Sequence, residues 1–285
     1  MTWHLTHDVE EFCREAGEHL AADPVGNTAL LTVSETVRRH GPDAYGDGGG
    51  LPVRFGWWRD RGSGPVTAAF AQTPPHPPLF GPVTSHQARE LARVLRADGA
   101  VASGVRGPDG GAQAFADEWA GPGRWSEAVR SRLFRLGGLC PPEQPPPGRA
   151  RRATEADVAQ ATAWMTGFAA DTGASTDTDY TANMARRIAD GGLHLWEVDG
   201  RPVSMAAHSP VLAGQSRIAP VYTPPALRGH GYAGAVTAAA SRGALDAGAE
   251  QVLLFADVAD PAANRLYERL GYRPLAPYVE LDFAE

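Results

Sequence analysis

Residues 218–233 read IAPVYTPPALRGHGYA and hold the most informative pattern in the chain. An apolar run ends in two prolines, and an Ala-rich stretch follows over residues 231–247. This pattern predicts a strand, a turn and then a helix. Glycines at positions 229 and 231 would let the backbone approach a ligand closely, and the free amides at a helix N-terminus favour a phosphate. We therefore expect this junction to bind an anion.

One interpretation of the junction is a dinucleotide site. Gly229, Gly231 and Gly234 match GxGxxG, and Asp257 closes the next predicted strand. In a dinucleotide-binding fold the glycines follow the strand at once, whereas here TPPALR intervenes. Only 28 residues follow Asp257, too few to complete a doubly wound sheet. An NAD-dependent oxidoreductase is therefore the weaker alternative.

Two motifs, taken together, resemble the Gcn5-related N-acetyltransferase (GNAT) superfamily. The first places Arg228, Gly231 and Ala233 in the RxxGxA frame at a strand-to-helix junction. The second is DPAANRLYERLGY, residues 260–272, with Asn, then Tyr, then Gly and an aromatic residue. They occur in order, with a predicted helix and strand between them. The resemblance covers residues 149–285 and implies an α+β fold with a mixed sheet, the acyl-CoA N-acyltransferase fold.

The resemblance also implies a cofactor and a set of site residues. Acetyl-CoA would be the co-substrate, and no metal is required. Tyr267 occupies the family position of the proton donor to the departing thiolate, although an aromatic there can also anchor its helix. The base is open: His208 and Glu197 are candidates, and a packing or solvent-facing role is open to both. Cofactor contacts are implied for Val221, Tyr222, Thr223, Arg228, Gly229, His230, Gly231, Tyr232, Ala233, Gly234 and Asn264.

A Pro-rich stretch divides the chain. Residues 140–149 read CPPEQPPPGR, and five prolines in ten residues exclude a helix interior and a central strand. We predict an N-terminal α+β domain over 1–139, a linker over 140–148 and a catalytic domain over 149–285.

The two halves have similar predicted element orders. For the first half we predict helices at 8–21, 27–38, 85–96 and 109–119, with strands at 53–59, 66–72, 79–83 and 130–136 and a turn at 60–64. For the second half we predict strands at 149–153, 193–198, 202–209, 217–222, 251–257 and 278–283, and helices at 178–189, 231–247 and 261–270. A further helix begins at Thr154 and Asp157. The first half shows no RxxGxA junction. It is interpreted as a degenerate copy of the same fold, giving two tandem domains with one working site.

Charge and composition bound the partners. The net charge of −7 argues against a nucleic-acid surface and leaves room for a cationic acceptor. The run Asp171, Asp177 and Asp179, between two predicted helices, could attract an ammonium group or simply form a solvated loop with a helix cap. All 26 basic side chains are Arg, which excludes a lysine Schiff base and a Walker lysine.

The expected location follows from the cysteines and the apolar runs. Cys13 and Cys140 form neither a CxxC pair nor a zinc motif, which indicates free thiols in a reducing compartment. The sequence shows no signal-peptide pattern and no run of 18 apolar residues. We expect a cytoplasmic protein that does not enter the membrane.

The sequence thus predicts an N-acetyltransferase. It would move an acetyl group from acetyl-CoA to a primary amine of a small molecule by direct attack in a ternary complex, as a monomer or homodimer. A non-catalytic acyl-CoA-binding sensor or interaction module is the main alternative. The acceptor itself is not encoded in a motif, because acceptor pockets are built from loops.

Overall fold

The computed structural model describes residues 2–46, 48–60 and 64–284. They form two compact units. The first holds the described residues up to Leu133, with Asp257–Ala259 and the residues from Leu275 on. The second is Phe134–Ala256 with Asp260–Pro274. Each unit thus takes in residues from the other side of the 140–148 segment, and the three-part division of the chain stays a prediction.

The first unit is an α/β arrangement around a mixed sheet. Its elements, in chain order, are β1 (Thr2–Thr6), α1 (Val9–Ala22), α2 (Thr28–His40), β2 (Arg54–Arg59), β3 (Val66–Gln72), β4 (Leu79–Phe80), α3 (Ser85–Ala97), β5 (Gly104–Pro108), α4 (Asp109–Trp119) and β6 (Trp125–Leu136), the last ending in the second unit. Strands β1 to β4 pair antiparallel in chain order, and β4 pairs parallel with β5. The predicted strand 79–83 ends early, at Phe80, and the turn predicted at 60–64 falls partly on 61–63, outside the described residues.

Two strands of this unit were not predicted. One is β1, and the other is β5, which contains two glycines and a proline. A Cβ at Gly104 would lie 2.3 Å from the carbonyl oxygen of Leu281, so the strand needs glycine where the neighbouring backbone approaches. That neighbour is the final strand of the chain, whose residues Tyr278 to Asp282 pair antiparallel with Pro108 to Gly104. The pairing of such distant segments is invisible to local sequence patterns.

The second unit follows the predicted order, β α α β β β α β α β. Its elements are β7 (Arg149–Arg152), α5 (Val158–Thr172), α6 (Thr181–Ala189), β8 (Leu193–Val198), β9 (Arg201–His208), β10 (Gln215–Tyr222), α7 (Tyr232–Asp246), β11 (Gln251–Asp257), α8 (Pro261–Arg269) and β12 (Tyr272–Phe283). The last residue of β11 and most of β12, from Leu275 on, belong to the first unit. Strands β7 to β10 pair antiparallel in chain order, and β10 pairs parallel with β11.

Helices cover both faces of the second unit's sheet. On one face, α7 and α8 pack over Trp196, Ala206 and Ile218. On the other, α5 and α6 pack over Leu193, Leu195, Met205, Ala207 and Tyr222. Alternate residues of a strand point to opposite faces, so β8 and β9 contribute to both cores. The mixed α/β class predicted from the sequence is confirmed.

Candidate functional site

The parallel pair β10 and β11 separates along its length. The two strands pair from Gln215 with Gln251 to Arg217 with Leu253, and the pairing goes no further. On its other edge β10 pairs with β9, with a register shift between Ile218 and Val221. Backbone groups of the later part of β10 that face β11 therefore border an opening. An extended ligand could add there as a strand does.

The residues after β10 lead into α7 through a glycine turn. A short 3-10 turn at Pro225–Leu227 is followed by Gly229 and Gly231, at φ of 83° and 82°. Both values lie in the left-handed region that favours glycine. Gly231 is the N-cap of α7, so no side chain there can occupy the first amides of the helix. Residues 228–231 are exposed. Exposed amides at a helix N-terminus are groups that favour an anion.

Two predicted site residues in this turn are engaged within the protein. The Arg228 guanidinium donates from Nε to the Thr223 carbonyl oxygen, 3.0 Å away, and pairs through Nη2 with the Asp171 carboxylate. The His230 Nδ1 lies 2.9 Å from the Arg228 carbonyl oxygen, and its ring stacks on Tyr232 at 5.5 Å. Both side chains thus shape the turn and leave its amides exposed. The sequence places Asp171 in an acidic run and does not reveal that its carboxylate pairs with Arg228.

The end of β10 is fixed by a buried hydroxyl pair. Ser204 of β9 donates to the Tyr222 carbonyl oxygen at 3.0 Å, and its Oγ lies 2.8 Å from the Thr223 hydroxyl. The Tyr222 ring points to the α5 face, where its hydroxyl occupies the space beside Gly167. The side chains of these two predicted contacts are therefore structural, and their backbone is what borders the opening. The sequence does not predict this role of Ser204, because a serine within a strand belongs to no motif.

Helix α8 brings Asn264 and Tyr267 into the second unit. Asp260 caps the helix by accepting from the amides of Ala262 and Ala263, and Asn264 Nδ2 donates to the Asp260 carbonyl oxygen at 2.6 Å. The Tyr267 ring packs edge-on against Tyr272, at 6.1 Å. Burial, reinforced by the Asp260 carboxylate, raises the pKa of Tyr267 to about 12. Its phenol therefore keeps its proton at neutral pH.

The two predicted bases lie in different surroundings. His208 is buried, with Nδ1 3.0 Å from its neighbour's carbonyl oxygen, that of Ser209, and Nε2 beside Gly243 of α7. Burial lowers its pKa. Glu197 pairs with Arg151 at 2.5 Å and with Arg149 at 3.5 Å, and the Arg151 hydrogen bond lowers the pKa of this carboxyl.

The sequence predicts neither a metal site nor a membrane-spanning helix. Within residues 2–46, 48–60 and 64–284, no three His, Cys, Asp or Glu side chains are grouped to hold a metal ion. Over the same residues, no helix has both the length and the apolarity to cross a membrane. Asp179 of the acidic run accepts from the Thr181 amide at 2.9 Å, just before α6, whose N-cap residue is Tyr180.

The chain is similar to known proteins in its sequence pattern and in its fold. Residues 160–272 match the family model described as the acetyltransferase (GNAT) family. An acetyltransferase of the GNAT family from Colwellia psychrerythraea is 10% identical and superposes with a TM-score of 0.61 over 99% of this chain and 100% of that one. A Drosophila protein is 12% identical, with a TM-score of 0.67 over 99% and 98%. A GCN5-related N-acetyltransferase from Kribbella flavida is 23% identical, with a TM-score of 0.55 over 76% and 87%.

A search of curated proteins found no match. The three structures are less than 25% identical to this chain, so they show its fold alone. The family model shows where the family's sequence pattern lies. The predicted fold class is confirmed. Residues 160–272 form a domain of the acetyltransferase (GNAT) family, in a chain that has the GNAT fold.

Proposed function

We propose that this protein transfers an acetyl group from acetyl-CoA to a primary amine of a small molecule. The observation that carries the proposal is the glycine turn, whose uncapped α7 amides come after the strand that separates from β11. Oriented amides at a helix N-terminus suit a pyrophosphate. The freed edge of β10 suits the extended, amide-bearing pantetheine arm.

The reaction needs three groups besides the two substrates. The acceptor amine attacks the thioester carbonyl carbon, and the Val221 amide would donate to the oxygen as it becomes negative. The carbon–sulfur bond then breaks, and the Tyr267 phenol gives its proton to the thiolate. A base takes the proton that the amine loses. The products are the N-acetylated amine and CoA with a free thiol.

His208 and Glu197 stay the predicted bases, and their surroundings define the test. If one of them is the general base, His208→Gln or Glu197→Gln should reduce the rate and remove the fall of kcat/KM at low pH, because a base acts only when it is deprotonated. A residue that only packs or pairs would change protein stability and leave the shape of that profile intact.

Tyr267 has a matched control in Tyr272. Both are tyrosines in the same apolar cluster, but the Tyr272 hydroxyl is bound to Ser241 at 2.7 Å. We expect Tyr267→Phe to lower kcat by about 100-fold, the usual contribution of general acid catalysis, with little change in the KM for acetyl-CoA. Tyr272→Phe removes an equivalent hydroxyl and should keep kcat within about twofold. Equal kcat values for the two variants would refute the acid role.

The decisive experiment pairs binding with turnover. Calorimetric titration with acetyl-CoA and with NADH separates an acyl-CoA protein from an oxidoreductase, and release of thiol is then measured over a panel of amines. Saturable acetyl-CoA binding with thiol release on at least one amine supports the proposal. Binding without turnover on every amine would favour the sensor, and binding of NADH alone would overturn both.

We also propose that the first unit is a degenerate copy of the fold. Its element order, β α α β β β α β α β, repeats that of the second. The link from β4 to α3 has no comparable set of uncapped amides. A Cβ at Gly81 would lie 2.0 Å from Asn27 Oδ1, so this link is tightly packed. Thr84 and Gln87 cap the N-terminus of α3 with a capping box. Acetyl-CoA should therefore bind with a stoichiometry of one per chain.

The setting and the acceptor are part of the same proposal. Cys13 and Cys140 are free thiols, which fits the reducing cytoplasm. The net charge of −7 favours a cationic amine over a nucleic acid. The protein would act as a monomer or homodimer.

A further inference from the structure

The Pro-rich residues 140–148, here called the proline segment, are attached at both ends to the second unit. The Cys140 amide donates to the Leu270 carbonyl oxygen at 3.0 Å, just after α8. The Trp196 indole N–H of β8 donates to the Pro147 carbonyl oxygen at 2.9 Å. The segment, which the sequence predicts to be a linker, is therefore a strap held at two points of one compact unit.

Between these attachments the strap passes the glycine turn. A Cβ at Gly231 would lie 3.9 Å from the ring of Pro146. A Cβ at Gly234 would lie 4.0 Å from Pro142 and 3.9 Å from Leu266 of α8. These are ordinary packing distances, so two prolines of the segment lie against the first turn of α7. They are also the half-buried members of 141–148, while the other residues of that stretch are exposed.

Proline is well suited to a wall beside an anion site. It has no N–H, so it leaves the phosphate oxygens to the amides of the turn, and its fixed φ keeps the strap ordered before a ligand arrives. Its ring also excludes water from one side of the amides. Hydrogen bonds between amides and an anion strengthen when water is excluded.

We propose that two residues of the proline segment, Pro142 and Pro146, belong to the cofactor site, where they form a wall of the subsite for the pyrophosphate of acetyl-CoA. This inference rests on the proposed function and adds residues that lie outside the family's two motifs. It assigns these two prolines to the phosphate end of the donor: binding of the phosphates depends on them, and binding of the thioester end does not.

The test compares two donors in the full-length protein. Acetyl-CoA carries the pyrophosphate, and S-acetylpantetheine lacks it. Pro142→Ala and Pro146→Ala each remove two half-buried methylene groups, so we expect the KM for acetyl-CoA to rise about fourfold in each and about fifteenfold in the double variant. The kcat with either donor, and the KM for S-acetylpantetheine, should stay within twofold. Pro145→Ala, at an exposed position of the same segment, is the control for general effects on the chain.

Three results would overturn the inference. Equal losses with both donors would mean that the strap only stabilises the fold. Values that match Pro145→Ala would mean that the prolines do not contact the subsite. A lower KM in the variants would mean that the strap covers the turn and must move away.

Direct binding of ADP, which carries a pyrophosphate without a thioester, separates this inference from the proposed function. If ADP binds to the wild type and binds more weakly to the double variant, the wall stands even when no amine is acetylated. If the wild type binds neither ADP nor acetyl-CoA, both proposals fail. If acetyl-CoA is turned over and the variants behave like Pro145→Ala, only the wall fails.

Discussion

Gly243, in the last turn of α7, offers a sharp test of how this helix packs on the sheet. Helix propensity alone says that Gly243→Ala should stabilise the protein by about 1 kcal/mol. The structure predicts the opposite sign. An added Cβ would lie 2.6 Å from His194 Nε2, 2.9 Å from His194 Cε1 and 3.3 Å from His208 Nε2. The first two distances are shorter than a real Cβ contact.

Neither imidazole can move aside at low cost. His194 and His208 are both 7% exposed, and their ring centres lie 5.5 Å apart between the sheet and α7. Overpacking of this kind costs about 1–3 kcal/mol. The gain in helix propensity offsets about 1 kcal/mol of this cost, so we expect Gly243→Ala to destabilise the second unit by up to about 2 kcal/mol.

The assay is native-state hydrogen exchange, because it reports on each unit separately. The free energy of opening is measured from α7 amides for Gly243→Ala, alone and together with His194→Ala. Removing the His194 imidazole removes both contacts shorter than 3 Å and leaves the one at 3.3 Å to His208, so in that background the same substitution should stabilise α7 by up to about 1 kcal/mol. Gly17→Ala in α1 is the matched control, since a Cβ there meets nothing within 4 Å. A stabilised Gly243→Ala protein, or an equal loss in the His194→Ala background, would refute the packing argument.

Three further predictions concern the second unit. Burial, followed by the charges of His208 and Arg152, lowers the pKa of His194 from 6.5 to about 4, so as the pH falls the unfolded chain binds a proton before the folded protein does. The contribution of His194 to the free energy of unfolding is complete above pH 6.5 and falls by about 3 kcal/mol toward pH 4. Urea unfolding at several pH values measures this loss. The Arg151 hydrogen bond lowers the pKa of Asp157 from 3.8 to about 2, so the contribution of this carboxylate to the free energy of unfolding is lost only as the pH falls from 3.8 to 2. In the same assay, Asp157→Asn should lower the free energy of unfolding by about 2 kcal/mol at pH 7. Tyr272→Phe should lower the free energy of unfolding by about 1 kcal/mol, because a buried hydrogen bond to Ser241 is lost; an unchanged urea midpoint would contradict this.

The second half was predicted well because its signals are local. Thr154 and Asp157 were expected to start a helix, and the Asp157 carboxylate accepts from the Thr154 amide at 2.8 Å in a capping box. The glycines at 229 and 231 were expected in the turn, and both have positive φ. Capping and glycine turns depend on residues a few positions apart, which a single sequence displays.

The environment of the predicted bases could not be derived in this way. Helices cover both faces of the sheet, so His194 and Leu195 are both buried although they point in opposite directions. An alternating pattern that would reveal which face a histidine occupies is therefore missing. The pairing of Arg228 with Asp171 joins residues 57 positions apart, and no local pattern predicts it.

The strand that closes the first unit has a consequence for synthesis. Residues 104–108 pair with residues 278–282, so β5 of the first unit gains this neighbouring strand only when a segment some 170 residues later has been synthesised. A nascent chain released as far as the proline segment would expose the backbone groups of β5 as an unpaired edge, the kind of surface that chaperones shield and aggregation exploits. The N-terminal unit should therefore reach its native state only after translation has passed residue 282.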